Sequence, residues 1–380
     1  MVMQDVIENK SLKFIHASDI HLGSQQYRNN HRANDFIRAF QELLKLAIFK
    51  NVDFIILGGD VFTSLEMLPG KLTKIVNILH NFSNKTKGTI PVIAIEGNHD
   101  IRKFSRGQRF PKRGQSWLKL LSTLNLLVLL DTDIDAPPNE MFQEFDNETN
   151  IGGKIKIKNA IIYGTRYINQ TPEEYILKFK RAIKRENGKF HILLQHFGIQ
   201  GQMENVPGVE YQKVLPLKDS VDYLALGHFH LQFTLDGWIY NPGSTEAACT
   251  MDSSYRRGIF LVEVLGERPF IKRISSIRLN NRKHIWKNIF LPIEFKNKIE
   301  TNNFIIQKLK SLLGCLKTDL KPIDPQMPIL YLVLKGLKPS KSSKINIKTL
   351  TNLICETFPV VDVKIFQKYI ETIKTIDNYF

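Results

Sequence analysis

Apolar runs at 12–17, 53–57, 91–95, 190–194 and 222–226 each stop within a few residues of a side chain able to hold a metal ion. This pairing of strand-like runs with potential ligands constrains the fold more than any single motif. Asp19 and His21 follow the first run, Asp60 the second, Asn98 and His99 the third, His196 the fourth, and His228 with His230 the fifth. A further run lies at 160–163, and helix-like segments fall near 33–50, 66–83 and 172–186, the last opening on Thr171-Pro172-Glu173-Glu174. Strands that alternate with helices predict a layered α/β fold. In such a fold ligands gather beyond the carboxyl ends of the strands, so separate loops would bring these residues to one rim.

Carboxylate, imidazole and amide oxygen together suit a borderline-hard divalent ion. Mn²⁺ is the first expectation, with Mg²⁺, Fe²⁺ or Zn²⁺ as alternatives, since a site made for zinc alone would carry more cysteine or histidine. The number of ligands suggests two ions about 3.5–4 Å apart, and Asp60 is the natural bridge between them. Such a pair polarises a phosphoryl oxygen and generates a nucleophile from water, which is the chemistry of phosphoester hydrolysis. His99 would face the scissile phosphate, as general acid for the leaving oxygen or as a donor to the transition state. Asp100, next in sequence, is expected to orient the His99 ring by accepting a hydrogen bond from one of its nitrogens. Each fragment alone has an ordinary explanation as a loop or turn; their ordered recurrence after strands argues for a site. His16, inside the first run, reads as a packed core residue, and His31, His80, His191 and His284 lack a comparable context.

From 231 to 280 short strands separated by Asp236-Gly237 and Asn241-Pro242-Gly243 suggest an antiparallel edge of the same domain. A polar break near 280–290 precedes a second unit, with a helix near 301–313, a strand near 329–335, a basic turn at Lys338-Pro339-Ser340-Lys341, a helix near 346–356 and a strand near 360–366. The expected domains are 1–280 and 285–380. Residues 367–380 read equally as a docked helix or a frayed tail.

The motifs His16-Ala17-Ser18-Asp19-Ile20-His21-Leu22-Gly23, Gly59-Asp60-Val61-Phe62, Gly97-Asn98-His99-Asp100, Gly227-His228-Phe229-His230 and Tyr240-Asn241-Pro242-Gly243-Ser244 resemble the calcineurin-like metallophosphoesterases. Within that superfamily they are similar to the DNA double-strand-break repair nucleases of the meiotic-recombination-eleven and SbcD branch. The resemblance implies a layered metallophosphoesterase β-sandwich flanked by helices, with a small C-terminal α+β domain capping DNA. It implies that Asp19, His21 and His230 hold one ion, that Asn98, His196 and His228 hold the other, that Asp60 bridges, and that His99 is catalytic. It further implies two Mn²⁺ per chain, exonuclease and endonuclease action on DNA ends, an SMC-like ABC ATPase partner, a homodimer and a nucleoid-associated location. One departure stands out: the family often carries a further histidine where this chain has Thr63, which leaves the balance of exonuclease and endonuclease action, and cleavage polarity, open.

Charge bears on the substrate. The formal net charge is +16, which favours a polyanionic partner through counterion release, although a Lys-, Ile- and Asn-rich composition can also reflect a biased genome. More than half of the excess lies in 281–380, where 16 Lys and 1 Arg face 8 acidic residues. Between Asp100 and Asp131 no acidic residue occurs, and Arg102, Lys103, Arg106 and Arg109 there, interleaved with Phe104 and Phe110, would suit phosphate contacts and stacking on an unpaired base. A phosphatase or phosphodiesterase for small substrates is the alternative, and a non-catalytic scaffold is disfavoured because every ligand position is filled. The three cysteines are widely spaced and fit neither a disulfide framework nor a zinc site. Without a signal-peptide pattern or an apolar run near the roughly 18 residues of a membrane helix, the chain is expected to be soluble and cytoplasmic.

Overall fold

The computed structural model describes residues 11–101, 116–168, 171–292, 295–314, 316 and 319–370. They divide into two compact units, the first formed by residues up to Arg28 and Arg32–Asn280, the second by Asn29–His31 and residues from Asn281 onward.

The first unit contains twelve strands: β1 (Leu12–Ala17), β2 (Phe54–Leu57), β3 (Val92–Ala94), β4 (Val128–Leu129), β5 (Lys154–Ile157), β6 (Ala160–Gly164), β7 (Phe190–Gln195), β8 (Tyr223–Leu226), β9 (Phe233–Leu235), β10 (Ile239–Asn241), β11 (Ile259–Leu265) and β12 (Ile271–Ile277). They form two six-stranded sheets, in the orders β12-β11-β1-β2-β3-β4 and β5-β6-β7-β8-β10-β9. β1 to β4 run parallel, as do β6, β7, β8 and β10, while antiparallel strands close the remaining edges.

Alternate side chains of each central strand serve two cores. Phe14, Phe54, Ile56 and Ile93 of the first sheet meet Ile162, Ile192, Leu194, Tyr223 and Ala225 of the second, with the Phe14 and Phe54 rings stacked at 5.0 Å. The opposite side chains, Ile15, Ala17, Ile55 and Leu57, pack under the helices Asn30–Phe49 and Pro69–Thr86. Burial on both faces is why these strands read as unbroken apolar runs rather than alternating ones. The first helix turns Phe36, Ile37, Phe40, Leu43, Leu44 and Ala47 inward at helical spacing. Pro69 opens the second, and Lys87 and Gly88, both at positive φ, end it. The helix expected over 172–186 is shorter, a 3₁₀ turn at Pro172–Tyr175 followed by Ile176–Ala182, since Ile183 is already extended.

The antiparallel edge expected from 231 to 280 is two edges. β9 and β10 finish the second sheet, whereas β11 and β12 return to the first, β11 lying beside β1.

The second unit has three parallel strands, β13 (His284–Leu291), β14 (Ile329–Leu337) and β15 (Asp362–Ile370), with β14 central. β13 occupies the stretch that reads as a polar break; its Ile289 and Leu291 enter a core with Leu330, Leu332, Leu334, Ile305, Leu309, Leu350 and Ile354. The helices Lys298–Leu313 and Ile347–Thr357 are capped by Asn297 and Asn346, whose side chains accept from Glu300 N at 3.0 Å and Thr349 N at 3.1 Å.

Candidate metal centre

The loops after β1, β2, β3, β7 and β8 carry all seven expected ligands, and the two sheets bring these carboxyl ends together. The first two loops are laced by backbone bonds, Asp19 N to Gly59 O at 3.0 Å and His21 N to Asp60 O at 3.0 Å. Four of the seven ligands lie in the left-handed region: Asp19 (φ 51°), His21 (φ 52°), Asp60 (φ 51°) and His228 (φ 84°). Each such non-glycine conformation costs roughly 1–3 kcal/mol and concentrates at functional sites. Glycines permit the crowding: a Cβ on Gly97 would strike the Asp60 carboxylate, and one on Gly59 would strike the His196 ring.

Asp19, His21 and His230 form one group. His21 Nε2 and His230 Nε2 are 3.0 Å apart, and Asp19 Oδ1 is 3.8 Å from His230 Nε2. Asn98, His196 and His228 form another, with Asn98 Oδ1 at 3.1 Å from both His196 Nε2 and His228 Nδ1. Asp60 stands between the groups, its Oδ2 at 3.4 Å from His196 Nε2, and it lies within ligand range of Asp19 and His196 and of His21 and His99.

These donor atoms fit bound cations. His196 Nδ1 donates to Gly58 O at 2.7 Å, so in the neutral ring the Nε2 lone pair faces the oxygens of Asn98 and Asp60. A proton or a metal ion relieves that arrangement. His230 repeats it: Nδ1 is tied to Asp252 Oδ2 at 2.8 Å and Nε2 confronts that of His21. Asp19 Oδ1 is buried and accepts no hydrogen bond among the described residues. Burial opposes a charge on His196, but Asp60 and then Asp19 outweigh it and lift its pKa to about 9. His230 rises to about 9 against burial through Asp252 and Asp19. Burial, with His196 beside it, drives His228 down to about 3, and His196 and His99 keep Asp60 well below the carboxylate range despite burial.

His99 is half-buried at the edge of the cage, its ring 4.9 Å from that of His21. Its backbone N–H donates to Asp60 Oδ1 at 2.7 Å, and its Nδ1 donates to Thr63 O at 2.9 Å. This corrects the expected role of Asp100. The Asp100 carboxylate turns away from the ring and accepts from the backbone N–H groups of Phe62 at 2.7 Å, Gly97 at 2.8 Å and Val61 at 3.3 Å. It staples the loop after β2 to the loop after β3, while the backbone of Thr63 orients His99. The Thr63 hydroxyl donates to His21 O at 3.0 Å.

His16 is fully buried between Tyr223 OH at 3.0 Å and Leu226 O at 3.1 Å, a core residue as expected. Arg102, Lys103, Arg106 and Arg109 lie outside the described residues. Sequence reasoning missed Asp252 and the Thr63 carbonyl. No local pattern marks Asp252, which sits in a 3₁₀ turn 22 residues beyond its partner. Among the described residues no helix is long and apolar enough to cross a membrane.

The family model of calcineurin-like phosphoesterases matches residues 12–232, which includes all seven ligands and His99. Among curated proteins the chain is 30% identical over 238 residues to the DNA double-strand break repair protein Mre11 of Archaeoglobus fulgidus, a match spanning 62% of this chain and half of that relative's length. It is 28% identical to the Mre11 protein of Sulfurisphaera tokodaii, covering 85% of this chain and 73% of the relative. It is 24% identical to that of Saccharolobus solfataricus, covering 97% and 84%. With a dinuclear set of divalent-metal ligands at the meeting of its two sheets and a family match over more than half its length, the chain belongs to the calcineurin-like phosphoesterase family, where it resembles the Mre11 repair proteins.

Proposed function

We propose that this chain is a metal-dependent DNA nuclease that hydrolyses phosphodiester bonds at double-strand ends or hairpins during double-strand break repair. The observation that carries the reading is the joint cage, two donor groups sharing Asp60 with His99 at their edge. DNA as the substrate is supported by relatives named as double-strand break repair proteins and by the acid-free basic stretch after Asp100. Asp19, His21 and His230 would hold one ion and Asn98, His196 and His228 the other, with the Asp60 carboxylate placed to serve both groups. When bound, the ion pair polarises the phosphoryl oxygens and lowers the pKa of water. The mixed oxygen and imidazole donors favour Mn²⁺.

The Thr63 carbonyl accepts from His99 Nδ1–H and leaves Nε2 facing the site; the doubly protonated ring gives its Nε2 proton to the leaving oxygen as the P–O bond breaks and is left neutral, with its remaining proton on Nδ1. Asp100 keeps the His99 loop in register with the Asp60 loop. Arg102, Lys103, Arg106 and Arg109 hold the phosphate backbone, and the unit from 285 to 380 caps the DNA. An SMC-like ABC ATPase and a second copy of the chain complete the assembly.

The test is selectivity. Purified protein with Mn²⁺ should cut blunt, overhung or hairpin DNA and lose that activity in chelator. Hydrolysis of a chromogenic phosphodiester with every DNA substrate left intact would instead assign it to small phosphorylated substrates.

A further inference from the structure

His230 is held by a residue outside the ligand set. Asp252 Oδ2 accepts from His230 Nδ1 at 2.8 Å and from the backbone N–H groups of Ala248 at 2.8 Å and Cys249 at 3.0 Å; its Oδ1 accepts from Cys249 Sγ at 3.0 Å. The carboxylate is fully buried. The segment that carries it is braced by buried charge. Arg32 Nη2 donates to Ala247 O at 2.8 Å and reaches Glu246 Oε1 at 3.3 Å, Arg32 Nη1 pairs with Asp35 at 2.5 Å, and Arg32 Nε donates to Gln26 Oε1 at 2.8 Å. Glu246 Oε1 in turn accepts from Ala247 N at 2.8 Å, and Arg257 Nη1 donates to Asp252 O at 2.5 Å.

Buried ion pairs of this kind add little net stability against their desolvation cost. The geometry held here is the position of one carboxylate. A carboxylate on the far nitrogen of a liganding imidazole fixes its tautomer, aims its other nitrogen and raises its basicity. The two ions are not treated alike: His196 takes its equivalent bond from the Gly58 carbonyl, a neutral acceptor.

We propose that Asp252 is a positioning residue that sets the affinity of one ion only, the ion held by Asp19, His21 and His230. This rests on the two-ion reading of the site. The alternative role for Asp252, capping the turn at Ala248 and Cys249, would affect the loop and not one ion in particular.

The experiment loads metal-free wild type, Asp252→Ala and Asp252→Asn with Mn²⁺ and follows binding by calorimetry and by the electron paramagnetic resonance spectrum, which separates a coupled ion pair from an isolated ion. Asp252→Ala should lose about 10–100-fold in affinity at one ion, keep the other, and show the isolated-ion spectrum at metal levels that give wild type the coupled one. Asp252→Asn retains an oxygen for the turn but not the charge, and should weaken the same single ion by about tenfold, at the low end of that range. Wild-type affinity for both ions in either variant overturns the proposal. So does equal weakening of both ions, which would mean loop damage. Should the alanine variant fail to fold by circular dichroism, the asparagine variant decides alone. Wild type that takes up no Mn²⁺ sinks the two-ion reading itself, and is seen as such in the control.

Discussion

Replacing His99 with alanine should separate the chemistry from the ions. The ring is half-buried and, among the described residues, makes one hydrogen bond, Nδ1 to Thr63 O at 2.9 Å, whose loss costs roughly 0.5–1.5 kcal/mol of stability. The bond that matters for the cage, His99 N to Asp60 Oδ1 at 2.7 Å, comes from the backbone and survives the substitution. Asp60 should stay in place, and both ions with it. What is lost is a proton donor beside the leaving oxygen, worth about 10²- to 10⁴-fold in rate, or about 2.7–5.4 kcal/mol in the barrier. Single-turnover cleavage of a DNA hairpin in saturating Mn²⁺, with bound metal counted on the same sample, reads both quantities. Loss of an ion would refute the reasoning, because His99 also lies within ligand range of His21 and Asp60 and would then be a ligand. Cleavage within tenfold of wild type would remove it from proton transfer.

Asp60→Ala should abolish binding of both ions, read as metal content after desalting, because its carboxylate serves both donor groups. Gly97→Ala places a methyl group against the Asp60 carboxylate and should lower stability by about 1–3 kcal/mol in thermal melts and weaken metal binding with it. Mn²⁺ at a hundredfold excess over its dissociation constant should stabilise the fold by about 2.7 kcal/mol for each ion bound, and chelator should reverse the gain. His16 gives a pH dependence. Burial lowers its folded pKa to about 3 against an ordinary 6.5, so between those values the unfolded chain binds more protons than the folded one. Its contribution is complete above pH 6.5 and falls by about 1.4 kcal/mol per unit as the pH drops below that. Buried Asp19 and Asp100, whose pKa values burial raises, act in the opposite sense. The measurement is therefore the difference in denaturant stability between wild type and His16→Gln from pH 7 to pH 5, which should change by about 2 kcal/mol across the window. A flat difference would contradict the burial argument.

The convergence of the candidate ligands is legible because each follows a strand buried on both faces, and such strands leave an apolar run in the sequence that a polar residue visibly terminates. Pairing order was not legible. β11 lies beside β1 although more than 240 residues separate Ala17 from Ile259, and nothing in either segment names its partner. β4 has two residues and β5 alternates lysine with isoleucine at an edge, so neither rises above a loop in composition. β13 was hidden because its outward positions include Trp286 and Asn288 and its neighbours at 280–283 are polar. Adjacency in sequence points Asp100 toward His99, but residues next to each other in a tight loop face different directions, and the Asp100 carboxylate accepts from the backbone N–H groups of Phe62 and Gly97. Asp252 required the fold, since only the closure of the 246–257 segment brings it to His230.

The most direct test of the two-ion cage is anomalous diffraction from crystals of the chain soaked in Mn²⁺. Two peaks, one among Asp19, His21 and His230 and one among Asn98, His196 and His228, with Asp60 between them, are the predicted result. A single peak, or ions bound away from Asp60, would contradict the account.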